Sequence, residues 1–339
     1  MKKCFLIISV LVPIFCFGQS KIDSLVQVGI QYHDKGEYAK AIKVYNEALK
    51  IDPKSTLINY ELSLSYMYSG DNEKAIKHSD FVIKQKKDHL LPSYVTKGSS
   101  LSNLGKTKEA IKVFKEGITK FGDDYLLHFN LGITYSKMQD NKNAGLAFIN
   151  AIMNNPNHKS SHYGLAITKY QQDERVQSLL SLYYFLLLEP SSKRAETAYR
   201  LIKEQLGGNV KKDENNPMNI NVFLDPKRME SEFSAAEVMI AMLEASNSLE
   251  ENKDKSKEEL FVDNTKSFFM VLGELKENDK KKSNIWWDFY VPFFYDLAKS
   301  EFIDVFCYCI SISSSEKARE WLKKNDEKLE NFGKWIKEK

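Results

Sequence analysis

A period of about 34 residues runs through the first half of this 339-residue chain. Small residues recur in register, at spacings of 34, 35, 34 and 34 residues, at Gly29, Ser63, Gly98, Gly132 and Ala166. Two further rows keep these spacings: Ala41, Ala75, Ala110, Ala144 and Ser178, and Tyr45, Ser79, Phe114, Phe148 and Leu182. Such a period is typical of architectures in which each unit buries its apolar face only by stacking on its neighbours.

Each period has the pattern of two amphipathic helices. In the clearest unit, small Gly132 and Ala144 lie where two helices must approach closely, and Pro156 ends the second helix. Apolar residues recur around them at helical spacing, namely Leu131, Tyr135, Phe148 and Ala151. The unit therefore predicts a helical hairpin, and the rows predict that this hairpin is repeated.

These residues resemble the tetratricopeptide repeat (TPR), a helix-turn-helix unit of the same length. Residues 125–158 match seven of its eight signature positions, and His128 stands where the family has tryptophan. The first unit supplies Gly29, Tyr32, Ala41, Ala48 and Pro53. The resemblance implies an all-α solenoid of about five repeats, at residues 22–55, 56–90, 91–124, 125–158 and 159–192, with a capping helix at 193–206. It does not extend beyond residue 206.

The second half of the chain has a different pattern. Glycine, asparagine, charge and two prolines indicate a linker over residues 207–228, where only residues 220–224 look extended. Residues 229–339 contain few glycines and predict an all-helical C-terminal domain. Helices are expected over residues 231–246, 257–277, 285–299, 301–312, 315–324 and 326–337. Ser313, with Glu316 three residues later, predicts a capping box for the fifth of these helices.

Ten aromatic residues lie between Trp286 and Tyr308. Such density is found in a core or in a docking surface, and we favour a core because exposed apolar patches of this size are rare. Asp288, Asp296 and Lys299 interrupt the segment and exclude a membrane span.

The N-terminus has the pattern of a secretory signal peptide, predicted at residues 1–18. Lys2 and Lys3 precede an apolar run of about 14 residues, shorter than the ~20 that a membrane-spanning helix needs. Small Cys16 and Gly18 favour cleavage after Gly18. We therefore expect an exported protein, periplasmic or envelope-associated in a Gram-negative bacterium. A retained or lipidated N-terminal segment would instead attach the protein to the membrane.

Charge and cysteine content narrow the classes of partner. Lys+Arg number 49 and Asp+Glu 46, but only five residues are arginine, at positions 175, 194, 200, 228 and 319. Because base recognition relies on arginine, no nucleic-acid partner is predicted. Cys307 and Cys309, the pair outside the predicted signal peptide, are too close in sequence for an unstrained disulfide and are expected to be free thiols.

The search for catalytic chemistry returns no constellation. All six histidines lie in the repeats, so the C-terminal domain has no imidazole. His158 and His162 are four residues apart but lack a third metal ligand. The phosphate-loop-like run at residues 104–107 lacks the required glycine, since Ser100 stands at that position. No catalytic residue, metal or cofactor is therefore predicted.

The TPR resemblance implies that the first helix of each repeat lines a concave binding groove. The groove residues it implies are Ile30, His33, Asp34, Tyr60, Leu64, Met67, Tyr68, Ser99, Asn103, Phe129, Ile133, Lys137, Tyr163, Ile167, Tyr170 and Gln171. Family members that clamp a C-terminal carboxylate have Lys and Asn where Val26 and Ile30 stand, so this type of ligand is not expected. A tyrosine-rich groove suits an extended or helical peptide.

The sequence thus predicts an exported scaffold or adaptor that binds a peptide or protein partner in its groove and has no enzymatic activity. Some groove rings could instead pack against the next repeat or against a C-terminal domain folded into the groove. Two further alternatives stay open. One is an enzyme whose site of carboxylates and tyrosines lies in the C-terminal domain. The other is a structural envelope subunit that self-assembles through the aromatic segment.

Overall fold

The computed structural model of the chain describes residues 11–212, 220–247, 249 and 252–339. The chain divides into two compact units, Met1–Asn154 and Asn155–Lys339, called unit 1 and unit 2 below. Residues 1–10 of the predicted signal peptide lie outside the described part, and the backbone from Leu11 onward is helical. Within the described residues, no helix combines the length and the apolar character needed to cross a bilayer.

Unit 1 consists of four helical hairpins with the predicted period. Their helices are α1 Leu11–Asp34, α2 Tyr38–Ile51, α3 Thr56–Tyr68, α4 Asn72–Gln85, α5 Leu90–Asn103, α6 Thr107–Phe121, α7 Tyr125–Lys137 and α8 Asn141–Asn154. Polar side chains fix several starts: the N–H of Ile58 donates to Ser55 Oγ at 3.3 Å, and the N–H of Leu126 donates to Asp124 Oδ1 at 2.9 Å. These caps satisfy backbone donors that the first helical turn leaves unpaired.

The recurring small residues allow the two helices of a hairpin to touch. A Cβ atom at Gly132 would lie 2.7 Å from the ring of Phe148, and one at Gly98 would lie 2.5 Å from the ring of Phe114. Both rings are almost completely buried. The sequence rows of small and large residues are therefore two sides of one repeated contact, in which each ring fills the space that the missing side chain leaves.

The stacking order gives unit 1 an inner side. The first helices of its hairpins touch in succession, α1 with α3, α3 with α5 and α5 with α7. Among the described helices, the second helices α2, α4, α6 and α8 lie further from one another and contact mainly the first helices on either side. Closer spacing of the first helices makes their free face the concave one.

Unit 2 contains the fifth repeat and the helices that follow it. Its elements are α9 Lys159–Gln171, α10 Arg175–Leu188, α11 Lys193–Gln205, β1 Val210–Lys212, β2 Ile220–Val222, α12 Pro226–Met229, α13 Ser234–Ser246, α14 Lys257–Asn278, a π-helical turn Trp286–Tyr290, α15 Val291–Lys299, α16 Ile303–Ser311, α17 Glu316–Lys324 and α18 Asp326–Lys337. The strands form an antiparallel pair with Val210 opposite Val222. This short sheet lies in the segment that was expected to be a linker.

Two local features of unit 2 differ from the predictions. The capping box predicted at Ser313 is wrong, because the N-cap of α17 is Ser315, whose Oγ accepts from the N–H of Ala318 at 3.2 Å. A capping box is present instead at Ser256 and Glu259, at the start of α14. The helix predicted over 285–299 starts as a π turn, which lies just before Pro292, a residue that cannot donate an i−4 hydrogen bond.

The aromatic segment is the core of unit 2, as predicted. Trp287, Tyr290, Phe294 and Phe306 are fully buried. They surround the fully buried Tyr183 of α10 and its neighbours, with ring centroids of Tyr183 and Phe294 6.1 Å apart. Because these rings fill a core, the segment does not offer the self-association surface that one alternative required.

The predicted fold class, an all-α TPR-type solenoid followed by a helical C-terminal region, is confirmed. The compact units nevertheless divide the chain before the fifth repeat, not at residues 207–228. The reason is that α10 and α11 of the repeat region contact α16 of the C-terminal region. The sequence period and the packing thus set different boundaries.

Candidate functional site

The candidate site is the free face of the first helices in unit 1, called the inner face below. It carries twelve of the predicted groove residues: Ile30, His33, Asp34, Tyr60, Leu64, Met67, Tyr68, Ser99, Asn103, Phe129, Ile133 and Lys137. None of these side chains is buried, and Tyr68 is 57% exposed. Neighbouring positions on the same helices, such as Leu62 and Leu131, are buried between the hairpins. The helical period therefore separates the side chains that hold the stack from those that face outward from it.

An aromatic cluster forms the face of the first two repeats. The rings of Tyr38 and Tyr68 stack with centroids 5.6 Å apart, and the imidazole of His33 meets both edge-on at 5.2 and 5.4 Å. His33 Nδ1 lies 2.9 Å from Ser65 Oγ, and partial burial lowers the pKa of its imidazole. The histidine is therefore neutral near pH 7 and presents a flat, largely apolar edge beside the tyrosines.

A second stacked pair lies on the same face. The ring of Tyr60 stacks on His89 with centroids 5.1 Å apart, and burial raises the pKa of the Tyr60 hydroxyl to about 12. Tyr60 therefore keeps its proton and offers a hydrogen-bonding hydroxyl on an apolar ring. Rigid aromatic side chains of this kind supply large contact area at low entropic cost, which is why they dominate the energetics of binding surfaces.

The face of the third and fourth repeats carries polar side chains joined by hydrogen bonds. Ser99 Oγ donates to Asn130 Oδ1 at 3.1 Å, and Lys137 Nζ donates to Asn103 Oδ1 at 3.0 Å. Asn103 Nδ2 donates in turn to Asn72 Oδ1 at 3.3 Å. Partial burial lowers the pKa of Lys137. Phe129 and Ile133 lie two turns and one turn before Lys137 on α7, so this part of the face is amphipathic.

The four groove residues of the fifth repeat lie in unit 2. Tyr163 and Ile167 are half-buried, and Tyr170 and Gln171 are exposed. The ring of Tyr163 packs on Phe185 at 4.9 Å, and Arg194 lies over it at 5.6 Å. The hydroxyl of Tyr170 donates to Glu204 Oε1 of α11 at 2.6 Å, which raises its pKa. Within unit 2, the C-terminal helices leave these four positions at least partly open.

The C-terminal helices of unit 2 cover the second helix of the fifth repeat instead. Residues Arg175 to Leu186 of α10 are nearly all buried. The buried guanidinium of Arg175 pairs with the buried carboxylate of Glu237 on α13, and its Nη1 donates to Asn209 Oδ1 at 3.0 Å. His162 on α9 accepts at Nδ1 from the hydroxyl of Tyr290, 2.7 Å away, while Nε2 donates to the carbonyl of Pro156. These contacts attach the repeat to the helices that follow it.

A polar cleft of about 320 Å³ opens beside this attachment. It is lined by Tyr170, Asp173, Arg175, Glu204, Gln205, Gly207 and Arg228. Its charges are already paired, since Arg228 Nη2 donates to Asp173 Oδ1 at 2.5 Å and Arg175 binds Glu237. Within the described residues, no group of three or more His, Cys, Asp or Glu side chains is placed to hold a metal ion. The thiols Cys307 and Cys309 are free in the structure.

Sequence reasoning missed part of the inner face and all of the attachment in unit 2. Tyr38, Asn72 and His89 belong to the face but lie outside the first helices, so the family pattern did not include them. The attachment had a readable signal, because α10 is hydrophobic all round, in the run RVQSLLSLYYFLLL. A helix of that kind is buried on every side and must have a further packing partner.

Comparisons with known proteins agree with the repeat architecture. Family models described as "TPR repeat" and "Tetratricopeptide repeat" match residues 29–70 and 91–119. The chain is similar to a solved thermophilic TPR protein from Thermus thermophilus, with 17% identity over 55% of this chain and 100% of that one, at a TM-score of 0.47. It is similar to PilW, a type IV pilus biogenesis factor, with 18% identity over 55% of this chain and 90% of that one, also at 0.47.

A third similar structure is MamA from Desulfovibrio magneticus, with 18% identity over 50% of this chain and 95% of that one, at a TM-score of 0.42. The two family matches fall on hairpins of unit 1, and both include glycines that meet a buried ring in the structure, Gly29 and Gly98. On these matches and on the hairpin geometry, the chain is a tetratricopeptide-repeat protein.

Proposed function

We propose that this chain is an exported binding scaffold of a bacterial cell envelope, and that the inner face of unit 1 holds a peptide or protein partner. TPR domains bind protein or peptide partners and are generally not enzymes. The observation that carries the proposal is the exposure of the inner face: twelve side chains rich in rings and aliphatic groups, none of them buried. An apolar, aromatic surface that the fold does not use for its own core is typical of an interaction site.

The aromatic cluster is the expected anchor of this interaction. Tyr38, Tyr68 and His33 are preorganised by mutual ring contacts, so little conformational entropy is lost when a partner packs on them. The polar side chains of the third and fourth repeats would add hydrogen bonds that fix the register of the partner. The export part of the proposal rests on the pattern of residues 1–18 and on the near-neutral charge that remains without Lys2 and Lys3.

Crosslinking and co-purification from the bacterium that encodes the protein test the binding proposal. We expect a partner to be recovered with the wild type and lost with Tyr60→Ala, Tyr68→Ala. A matched control is Leu146→Ala, Met153→Ala on α8, which removes side chains 54% and 62% exposed that lie outside the inner face. A partner retained by the first variant, or lost equally with the control, would refute the inner face as the site.

Intact mass of the protein recovered from the envelope tests export. Cleavage after Gly18 predicts a chain that begins at Gln19. A chain that still carries Met1 would contradict this part of the proposal.

A further inference from the structure

Charge is distributed unevenly along the inner face of unit 1. The last inner-face position of each first helix is occupied by Asp34, Tyr68, Asn103 and Lys137 in turn. These four side chains, called the charge row below, are all exposed. The row therefore starts at a carboxylate on the first repeat, passes two uncharged side chains and ends at an ammonium group on the fourth.

Both end charges lack an internal counterion. Lys137 Nζ donates to the neutral amide oxygen of Asn103, and among the described residues no carboxylate lies within ion-pair distance of it. Asp34 likewise has no cationic partner in the described part of the chain. Other charges of the same hairpins are paired: Lys97 with Asp80 at 2.6 Å, and Lys74 with Asp71 at 2.7 Å. An unpaired charge beside an apolar surface is most useful to an arriving opposite charge.

The surroundings strengthen the polarity of the row. Near Asp34, the half-buried carboxyl of Glu61 has a raised pKa, first because of burial and in part because of the negative charge of Asp34. Near Lys137, burial lowers the pKa of the ammonium group with no opposing carboxylate among the described residues. One end of the face therefore favours a cation, and the other end favours an anion.

The middle of the row suits a chain whose backbone is not paired with itself. Asn103 and Ser99 present amide and hydroxyl groups, which can bond to the free N–H and C=O groups of an extended segment. A helical ligand has already satisfied those groups internally. Three helix-to-helix steps of roughly 8–10 Å separate the two ends. An extended chain rises about 3.3 Å per residue, so about eight or nine residues span the row.

We propose that the inner face of unit 1 binds an extended peptide segment with a basic residue at one end, an acidic residue about eight or nine positions away, and apolar or aromatic residues between them. The basic residue lies at Asp34, the acidic residue lies at Lys137, and the apolar residues pack on the rings of the first two repeats and on Phe129. This inference rests on the proposed function, because it specifies the partner of the same face. It assigns a direction to the bound chain that the apolar contacts alone do not set.

Selection from a displayed library of random 16-residue peptides, with the purified full chain as bait, tests the proposal. Selected peptides are expected to carry opposite charges about eight or nine residues apart, in one constant order. Replacing either charge in a synthetic selected peptide by Ser is expected to weaken binding at least tenfold in fluorescence anisotropy. The double variant Asp34→Lys, Lys137→Asp is expected to select peptides with the opposite charge order.

A matched control exchanges two exposed charges outside the inner face, Asp88→Lys and Lys142→Asp, and leaves the net charge unchanged. It is expected to select the same charge order as the wild type. Circular dichroism confirms that each variant is folded. Peptides that need Tyr60 and Tyr68 but show no charge order, or an order that the double exchange does not reverse, overturn the charge row alone. Selected peptides that bind the Tyr60→Ala, Tyr68→Ala variant as tightly as wild type, or a selection without any binder, overturn the proposed function of the face.

Discussion

The second helices of the first three repeats and of the fifth repeat have the same length of period but opposite surfaces. At one equivalent outward position, α2, α4 and α6 carry exposed lysines, Lys43, Lys77 and Lys112, whereas α10 carries the fully buried Leu180. Three residues further on, exposed Lys115 of α6 corresponds to fully buried Tyr183 of α10. The repeat pattern fixes the contacts within a hairpin and leaves the outward face of its second helix free to vary.

This difference decides whether a repeat ends at solvent or continues into another core. A helix with a polar outward stripe is complete once it is stacked. The helix α10 has no polar stripe, so the fifth repeat depends on the aromatic helices that follow it. All four tryptophans, at positions 286, 287, 321 and 335, lie in unit 2. Tryptophan fluorescence therefore reports on unit 2 alone, and circular dichroism reports on the helices of both units.

The largest expected effect is at Tyr183. Tyr183→Ala removes a fully buried ring that meets Phe269 edge-on at 4.9 Å and leaves the Thr265 hydroxyl, 3.0 Å away, without its partner. We expect a loss of about 3–5 kcal/mol in the free energy of unfolding of unit 2. The equivalent change on the solvent-facing helix, Lys115→Ala, is expected to stay within about 0.5 kcal/mol. Urea denaturation followed by tryptophan fluorescence and by circular dichroism measures both.

Tyr183→Phe is the control for the hydroxyl. It keeps the ring and should lose only about 1 kcal/mol, the usual size of one buried hydrogen bond. Equal effects of Tyr183→Ala and Lys115→Ala would mean that α10 is not a core helix.

A loss of similar size is expected from breaking the buried ion pair of unit 2. Arg175→Met leaves the carboxylate of Glu237 buried, with its exposed fraction at 3%, and without a cation. Removal of one partner of a buried pair costs about 3–5 kcal/mol, while replacement of both by apolar residues is often neutral. Arg175→Met, Glu237→Met should therefore recover most of the loss, as measured by the fluorescence transition in urea. A double variant less stable than the single one would contradict the ion-pair explanation.

The pH dependence of unit 2 should follow His162. Burial lowers the pKa of this imidazole from 6.5 to about 4, so the folded state binds fewer protons than the unfolded state between these values. The stabilisation is fully present above pH 6.5 and is lost as the pH falls toward 4, by about 3 kcal/mol. His162→Gln should flatten this acid limb in fluorescence-detected urea midpoints between pH 7 and 4. His33→Gln is the comparison in unit 1, and it should leave the fluorescence-detected limb of unit 2 unchanged.

Helix caps give the smallest expected effects and the cleanest separation of the two units. Ser55 caps α3 in unit 1, and Ser256 forms the capping box of α14 in unit 2. Replacement of either by Ala should cost about 1 kcal/mol. We expect Ser256→Ala to shift the fluorescence transition and Ser55→Ala to shift only the circular dichroism transition. If both variants shifted both transitions alike, the units would not unfold separately.

Most helices could be predicted because helical spacing and repeat register are local properties. The helix α14, expected over residues 257–277, is observed at Lys257–Asn278, and α18 agrees at both ends. The capping box at Ser313 could not be settled in this way, because Ser315 offers the same hydroxyl two residues later. The choice between them depends on how the turn after α16 packs, where the Ser313 hydroxyl is buried without a partner in the described residues.

The inner face could be predicted only where its residues belong to the repeat pattern. Tyr60, Tyr68 and Lys137 follow from the period, and their stacking and bonding partners His89, Tyr38 and Asn103 depend on how hairpins meet in space. The ion pair of Arg175 and Glu237 joins residues 62 positions apart. No local spacing encodes a pairing at that distance, so the structure was needed to find it.

The burial of α10 has a consequence for how such a chain can change over evolutionary time. Hairpins with solvated outward helices are interchangeable modules, because a duplicated or deleted unit of 34 residues still finds the same neighbours. The fifth hairpin is not interchangeable, since Arg175, Tyr183 and His162 each contact a specific residue of the later helices. We expect relatives of this chain to vary in the number of hairpins before α9 and to keep α9, α10 and the following helices together as one inherited block.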